Sequence, residues 1–178
     1  MNYLVTGLIC SGKSTFLEIA RRHNFNTLKA DDIVANLYND EEIIDKLKIL
    51  INDDLNNGEI KSKVKSFFYE SEANRKKIEN ILHPHVHQIV IKKLNTTNNC
   101  MIELPPIENN IKLFNAYTTI YIDASKQIRV KRYNLRKDND ISFFDLINRI
   151  QNGYELIKQT CDIVVNNDND AGALSKYF

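Results

Sequence analysis

Glycine is scarce in this 178-residue chain, with five, and cysteine scarcer still, with three. Cys10, Cys100 and Cys161 are odd in number and far apart, and no C-x-x-C pair occurs. That excludes a disulfide framework and a cysteine-built zinc site. No apolar run approaches the ~18 residues that a membrane-spanning helix needs. A signal peptide is not expected either, because Lys13 and its flanking glycines interrupt the first apolar stretch. An excess of charge of one sign is also missing. The formal net charge is +1, which gives no global drive toward nucleic acid. There is no internal repeat and no extended low-complexity linker. The expectation is a soluble protein with reduced thiols, cytoplasmic, with neither nucleic acid nor membrane as partner. Its length suggests one domain, residues 1–178, with room for a helical insertion, and 43% hydrophobic residues supply a core.

Two of the few glycines stand five positions apart. Gly7-Leu8-Ile9-Cys10-Ser11-Gly12-Lys13-Ser14 fits the phosphate-loop pattern G-x-x-x-x-G-K-[ST], and Thr15 follows. Asn2 to Thr6 before it reads as a buried strand, and Ser14 to Ala20 after it as a helix start. The pattern needs that context, because glycines let the backbone wrap a phosphate closely. Successive N–H groups and the helix N-terminus then face the anion. Lys13 would reach the β- and γ-phosphates, and the Ser14 hydroxyl would bind Mg²⁺. Cys10 looks incidental to the loop.

Further along, Phe25 to Lys29 is a short strand, and Ile33 to Tyr38 looks helical with Asp31 or Asp32 able to cap it. From residue 41 to 98 no strand is convincing. Ile43, Ile44, Leu47, Ile51 and Leu55 recur at helical spacing, a turn at Asn56-Asn57-Gly58 breaks the pattern, and a helical block resumes through Leu94. Pro84 is expected to interrupt it. Strands follow at Cys100–Leu104, Thr118–Asp123 and Asp162–Asn166, with helices from Ser125 to Arg136 and from Phe143 to Lys158, and a short terminal one from Ala171 to Tyr177. Asn166 to Asp170 is a short loop. Apolar strands alternating with helices predict an α/β fold with a five-stranded parallel sheet, ligands binding at the strands' C-terminal ends.

A phosphate loop alone serves many nucleotide-binding proteins. No N-K-x-D guanine signature is present, which disfavours a GTPase, and the chain is short for a motor. A small kinase fits best. Asp31, placed just after the second strand, is the leading candidate to accept a proton from an acceptor hydroxyl. The plain alternative is a helix cap, with Asp32 competing for either role. Arg132 and Arg136 are four apart on an expected helix, hence on one face. They read either as a clamp on the transferring phosphate or as part of a solvated basic face with Arg129, Lys131 and Lys137. His83, His85 and His87 alternate, but Pro84 argues against a regular element and no further ligand completes a metal set. A helix junction with His83 lining a substrate cleft is the expectation.

With these residues assembled, the chain resembles the dephospho-coenzyme A kinase family from Tyr3 to about Asn167. The resemblance is carried by the loop, by Lys29-Ala30-Asp31 where the family shows Asp-Ala-Asp, and by the apolar helix ending in His83-Pro84. Leu104-Pro105-Pro106-Ile107-Glu108, the paired arginines Arg132 and Arg136, and Cys161 to Asn167 complete it. It implies a three-layer P-loop kinase fold with a helical acceptor-binding insertion (residues 41–98) and a helical lid (residues 125–158). It implies transfer of the ATP γ-phosphate to the ribose 3′-hydroxyl of dephospho-coenzyme A. Asp31 would be the base, Lys13 and Ser14 would hold ATP and Mg²⁺, Arg132 and Arg136 would serve the lid, and Asn167 would lie beside adenine. Lys61, His83 and Glu108 would contribute to the acceptor pocket. Four departures stand out. Lys29 replaces the first Asp, and Lys61 stands where Arg is common, a point charge in place of a bidentate fork. The Pro-Pro-Ile-Glu stretch is one residue short, and Tyr154 falls where a lid-following Gln is expected. Another nucleoside or nucleotide kinase, or a catalytically silent nucleotide-binding homologue, are the rival readings.

Overall fold

The computed structural model describes residues 1–52, 59–136, 141–152, 155–168 and 171–178. Leu55, the Asn56-Asn57-Gly58 turn, Lys137, Tyr154, Asn169 and Asp170 lie outside the described residues. Two compact units are present: Met1–Lys29 with Leu94–Phe178, and Ala30–Lys93.

The first unit is built on five parallel strands, β1 (Asn2–Thr6), β2 (Asn26–Lys29), β3 (Cys100–Glu103), β4 (Thr119–Asp123) and β5 (Ile163–Asn166), in the order β2-β3-β1-β4-β5. The predicted parallel sheet is therefore present, and each strand coincides with an apolar run read from the sequence. Register places Lys29 opposite Glu103, and Glu103 opposite Val5, at the C-terminal edge. Val5, Met101, Ile120, Ile122 and Val165 face α1 (Lys13–Arg22), whose Phe16, Leu17 and Ala20 close the core with Leu174 of the C-terminal 3-10 turn. Each large side chain so buried contributes roughly 1.5–3 kcal/mol. The Asn2 amide fixes the return into the sheet: it donates to the carbonyls of Leu94 and Thr97 and accepts from the Cys100 N–H at 2.9 Å.

The second unit is helical: α2 (Ala30–Leu37), α3 (Glu41–Ile51), α4 (Ile60–Glu70) and most of α5 (Glu72–Thr96). Asp40 caps α3, its carboxylate accepting from the N–H groups of Glu42 and Ile43. Two expectations change here. Asp31 and Asp32 are not caps: α2 begins at Ala30, directly after β2, so both carboxylates fall inside its first turn, where the helix dipole favours them. Pro84 does not mark a junction, since α5 runs unbroken through it. Ile78, Leu82, Val86 and Val90 form a buried row at i+4 spacing, while Asn80 and Pro84 are exposed on the other side. The carbonyl that Pro84 deprives of a partner belongs to Asn80, an exposed residue. Burying four aliphatic side chains outweighs the ~3 kcal/mol that proline costs inside a helix.

The chain then passes through a 3-10 turn (Glu108–Asn110), α6 (Ile111–Ala116), α7 (Lys126–Asn134), α8 (Ile141–Asn152) and α9 (Glu155–Thr160). The helix expected from Phe143 to Lys158 is matched by α8 and α9, with residues 153 and 154 between them outside the described residues, and the predicted basic helix stops at Asn134. Arg136 lies beyond it, its N–H bonded back to the Tyr133 carbonyl in a tightened turn. Arg132 and Arg136 therefore do not share a helix face.

Candidate active site

Every residue of the expected loop lies in the first unit, Gly7 to Gly12 between β1 and α1 and Lys13 and Ser14 in the first turn of α1. Gly7 has φ 144°, and a Cβ there would meet the Ile122 carbonyl oxygen at 2.3 Å, so backbone packing alone demands glycine. Gly12 has φ 103°, and its Cβ would meet the Asn167 amide nitrogen at 2.1 Å. Gly12 also precedes α1 without a side-chain cap, which leaves the first N–H groups of that helix for an anion. Between the glycines, Cys10 holds φ 60°, a left-handed value uncommon for a residue with a side chain. Its thiol is buried against Tyr133 and Phe144. Burial pushes the thiol pKa up, and the nearby Arg136, Lys13, Arg129 and Arg132 pull only against that rise. Cys10 is thus a packing residue that shapes the loop, a part its sequence position does not reveal.

Side chains from distant segments hold the loop. The Arg132 guanidinium donates to the Ser11 carbonyl at 3.2 Å and to the Asn167 carbonyl at 2.7 Å. The Asn167 amide donates to the same Ser11 oxygen at 2.7 Å. Lys13 Nζ donates to the carbonyls of Gly7 (2.9 Å) and Leu8 (3.2 Å) and stands 3.7 Å from the Glu103 carboxylate. Ser14 Oγ donates to the other oxygen of Glu103 at 3.5 Å. Among the described residues, three buried polar atoms around the loop have no partner: Thr6 Oγ1, Ser11 Oγ and Asn167 Oδ1. Buried polar groups are almost always satisfied, so three orphans at one strand end mark a place made for a polar ligand.

The model of the CoaE dephospho-CoA kinase family matches residues 3–172. The chain belongs to the dephospho-CoA kinase family. A dephospho-CoA kinase of Rickettsia prowazekii is 29% identical over 178 residues, covering 97% of this chain and 91% of its own. Among solved structures, dephospho-CoA kinase from Campylobacter jejuni superposes with a TM-score of 0.70 at 22% identity, covering 98% of this chain and 92% of that one. A Thermus thermophilus protein reaches a TM-score of 0.80 at 20% identity, covering 99% and 93%. The fold and the phosphotransferase class read from the sequence therefore hold. A dephospho-CoA kinase passes phosphate from ATP to a hydroxyl of dephospho-CoA, and the readings as another kinase or a silent homologue give way.

The family's expected site residues divide between the two units. The first contains the loop, Arg132 and Asn167 in direct contact, with Arg136 exposed but close enough to act on the Cys10 thiol. Glu108 is exposed in the 3-10 turn. The second unit contains Asp31, exposed in α2, and Lys61, whose ammonium lies 5.4 Å from the Tyr38 ring centre. It also contains His83, whose ring stacks on His87 one turn along α5 with centres 6.0 Å apart. Among the described residues, no group of three or more His, Cys, Asp or Glu side chains forms a metal cluster. Sequence reasoning missed Glu103, Arg129, Asn148 and Gln151. Glu103 left one signal, an acidic residue closing an apolar strand. Arg129 and Gln151 act across more than a hundred residues, Asn148 acts through Arg129, and no local pattern announces them.

Proposed function

We propose that this chain phosphorylates the ribose 3′-hydroxyl of dephospho-CoA with ATP, giving coenzyme A and ADP, by positioning and charge rather than by covalent catalysis. The observation that carries the reading is the loop itself. Its backbone is pinned from outside, its amides and the start of α1 are left for phosphate, and three unpartnered polar atoms surround it. Lys13 gives up carbonyl partners for the β- and γ-phosphates, a move its flexible stem allows. Arg132 lies against Ser11 and can follow the charge that develops in transfer.

The residues present suit Mg²⁺. Ser14 Oγ and the Glu103 carboxylate are hard oxygen donors 3.5 Å apart, and they are the groups that would hold the ion. When bound, it would neutralise charge on the β- and γ-phosphates. Asp31 takes the proton from the acceptor hydroxyl. Its carboxylate is exposed, and among the described residues no side chain holds it, so it is free to serve as a base. Lys61, His83 and Glu108 supply the acceptor-binding groups, residues 41–98 acting as the insertion and 125–158 as the lid. Arg136 serves that lid, and Asn167 shapes the loop beside adenine. Free thiols at Cys10, Cys100 and Cys161 suit the reducing cytoplasm.

A coupled ADP-release assay with Mg·ATP tests this. Turnover is expected with dephospho-CoA and not with adenosine, AMP, uridine or thymidylate. Turnover with one of those and none with dephospho-CoA overturns the reading.

A further inference from the structure

The backbone of Ile9, the third residue of the loop, is gripped from both sides. Its N–H donates to Gln151 Oε1 at 2.6 Å, and its carbonyl accepts from Arg129 Nη1 at 3.4 Å. The same Nη1 donates to Asn148 Oδ1 at 2.7 Å, and Arg129 Nε donates to the Ala124 carbonyl at 3.1 Å. Asn148 and Gln151 are three apart on α8 and so project from one face. Arg129 comes from α7 and lies over the Phe144 ring at 5.8 Å. All three side chains are buried, at 3% exposure for Arg129, 6% for Asn148 and 9% for Gln151. A guanidinium and two amides taken out of water are destabilising unless their partners are fixed. Here the partners are each other, the Ala124 carbonyl and two successive peptides of the phosphate loop.

That placement has a mechanical consequence. The Ile9 N–H belongs to the peptide plane before Ile9, and its carbonyl to the plane after it. With both planes held, Cys10 is delivered into its left-handed φ of 60°, a conformation that costs a residue with a side chain about 1 kcal/mol or more. We propose that Gln151, Arg129 and Asn148 are positioning residues, locking the Ile9 peptides so that the rest of the loop stays shaped for the nucleotide phosphates. The proposal rests on the kinase reading above. It adds that α8 governs nucleotide affinity without touching the nucleotide.

The deciding pair is Gln151→Met, near in volume but with no acceptor for the Ile9 N–H, and Gln151→Glu, which keeps an oxygen there. Mg·ATP binding is measured by titration calorimetry without acceptor, beside steady-state kinetics and amide hydrogen exchange at Ile9. In Gln151→Met, the Kd for Mg·ATP and the KM for ATP are expected to rise about 10-fold, the size of one buried hydrogen bond. The KM for dephospho-CoA should stay within about twofold, and exchange at Ile9 should accelerate. Gln151→Glu should restore affinity and protection. If Gln151→Met does not fold, Gln151→Asn withdraws the acceptor while keeping an amide and is expected to show the same loss. A lower Tm with wild-type Mg·ATP affinity would make these residues structural only and overturn the proposal. Wild-type binding of Mg·ATP without phosphorylation of dephospho-CoA would instead sink the activity reading and leave this one standing.

Discussion

The two units of this chain hold their functional groups in opposite ways. In Met1–Lys29 with Leu94–Phe178, the phosphate loop is over-determined. Arg132, Asn167, Arg129 and Gln151 converge on its carbonyls and one of its N–H groups from two helices and the segment just after β5, far along the chain. In Ala30–Lys93, Asp31 is exposed and has no side-chain partner among the described residues, and Lys61 is exposed beside Tyr38. On the proposed reading, the difference follows from what each must grip. A polyphosphate is rigid in its demands and is read by backbone amides, which cannot be re-aimed once folded and so must be fixed in advance. A proton acceptor needs its carboxylate unencumbered, because a hydrogen bond to the charged form would lower its basicity. The comparison can be broken or sharpened by experiment, and the largest effect lies with Asp31. Asp31→Asn should lower kcat by about 10²-fold or more while leaving the Mg·ATP dissociation constant unchanged. If affinity falls in step with rate, the division of labour between the units is wrong.

Gly12 gives the matching test on the nucleotide side. In Gly12→Ala the new methyl lands 2.1 Å from the Asn167 amide, at φ 103°. Strain of about 1–3 kcal/mol is expected, read as a lower Tm and as Mg·ATP binding weakened about 10-fold or more. Adding Asn167→Ala opens the space but does not change φ, so it should recover part of the loss. Full recovery would show that the clash alone matters, and no recovery that the backbone angle alone does.

These two residues also show what was legible beforehand. The loop pattern is local: eight adjacent residues set the turn, the lysine and the helix start, and neighbouring apolar runs set the strands. The structure repeats them with shifts of a residue or two. What was illegible is long-range or depends on competition. Gln151 reaches Ile9 across 142 residues, and nothing about a polar residue in an amphipathic helix reveals that it will be buried and aimed at a loop. Pro84 was misread because a single-residue rule was applied without weighing the buried row Ile78, Leu82, Val86 and Val90 against it. Arg136 was assigned to a helix face because basic residues continue past Asn134 while the helix does not.

His83 offers a test confined to the helical unit. Burial first, and then the neighbouring His87, pull its pKa down to about 4, from an ordinary value near 6.5. The folded form therefore binds fewer protons than the unfolded chain between those values. Stability is intact above about pH 7, declines as pH falls toward 4, and levels off below. With the ring part-exposed and screened, the loss is on the order of 1–2 kcal/mol. His83→Gln should flatten most of this slope in urea midpoints measured from pH 4 to 7. A slope that persists unchanged would assign it to other groups and would leave His83 no different from an exposed histidine.

The smallest effect is expected at the end of β2, where Lys29 precedes the helical unit. Lys29 is half-buried and, among the described residues, has no side-chain partner, so removing it orphans nothing. It stands in register with Glu103 on the adjacent parallel strand, and in-register side chains share a face. Lys29→Asp therefore sets a second carboxylate beside Glu103, the group proposed with Ser14 for Mg²⁺. Like charges on one face destabilise by about 1 kcal/mol or less when solvent reaches them. A metal ion that draws on both should offset that. The expected result is kcat/KM within about 10-fold of wild type, with the apparent Mg²⁺ requirement moved to lower concentration. Complete loss of activity would mean instead that the ammonium of Lys29 touches a phosphate. The over-determined unit would then hold a third cation beside Lys13 and Arg132.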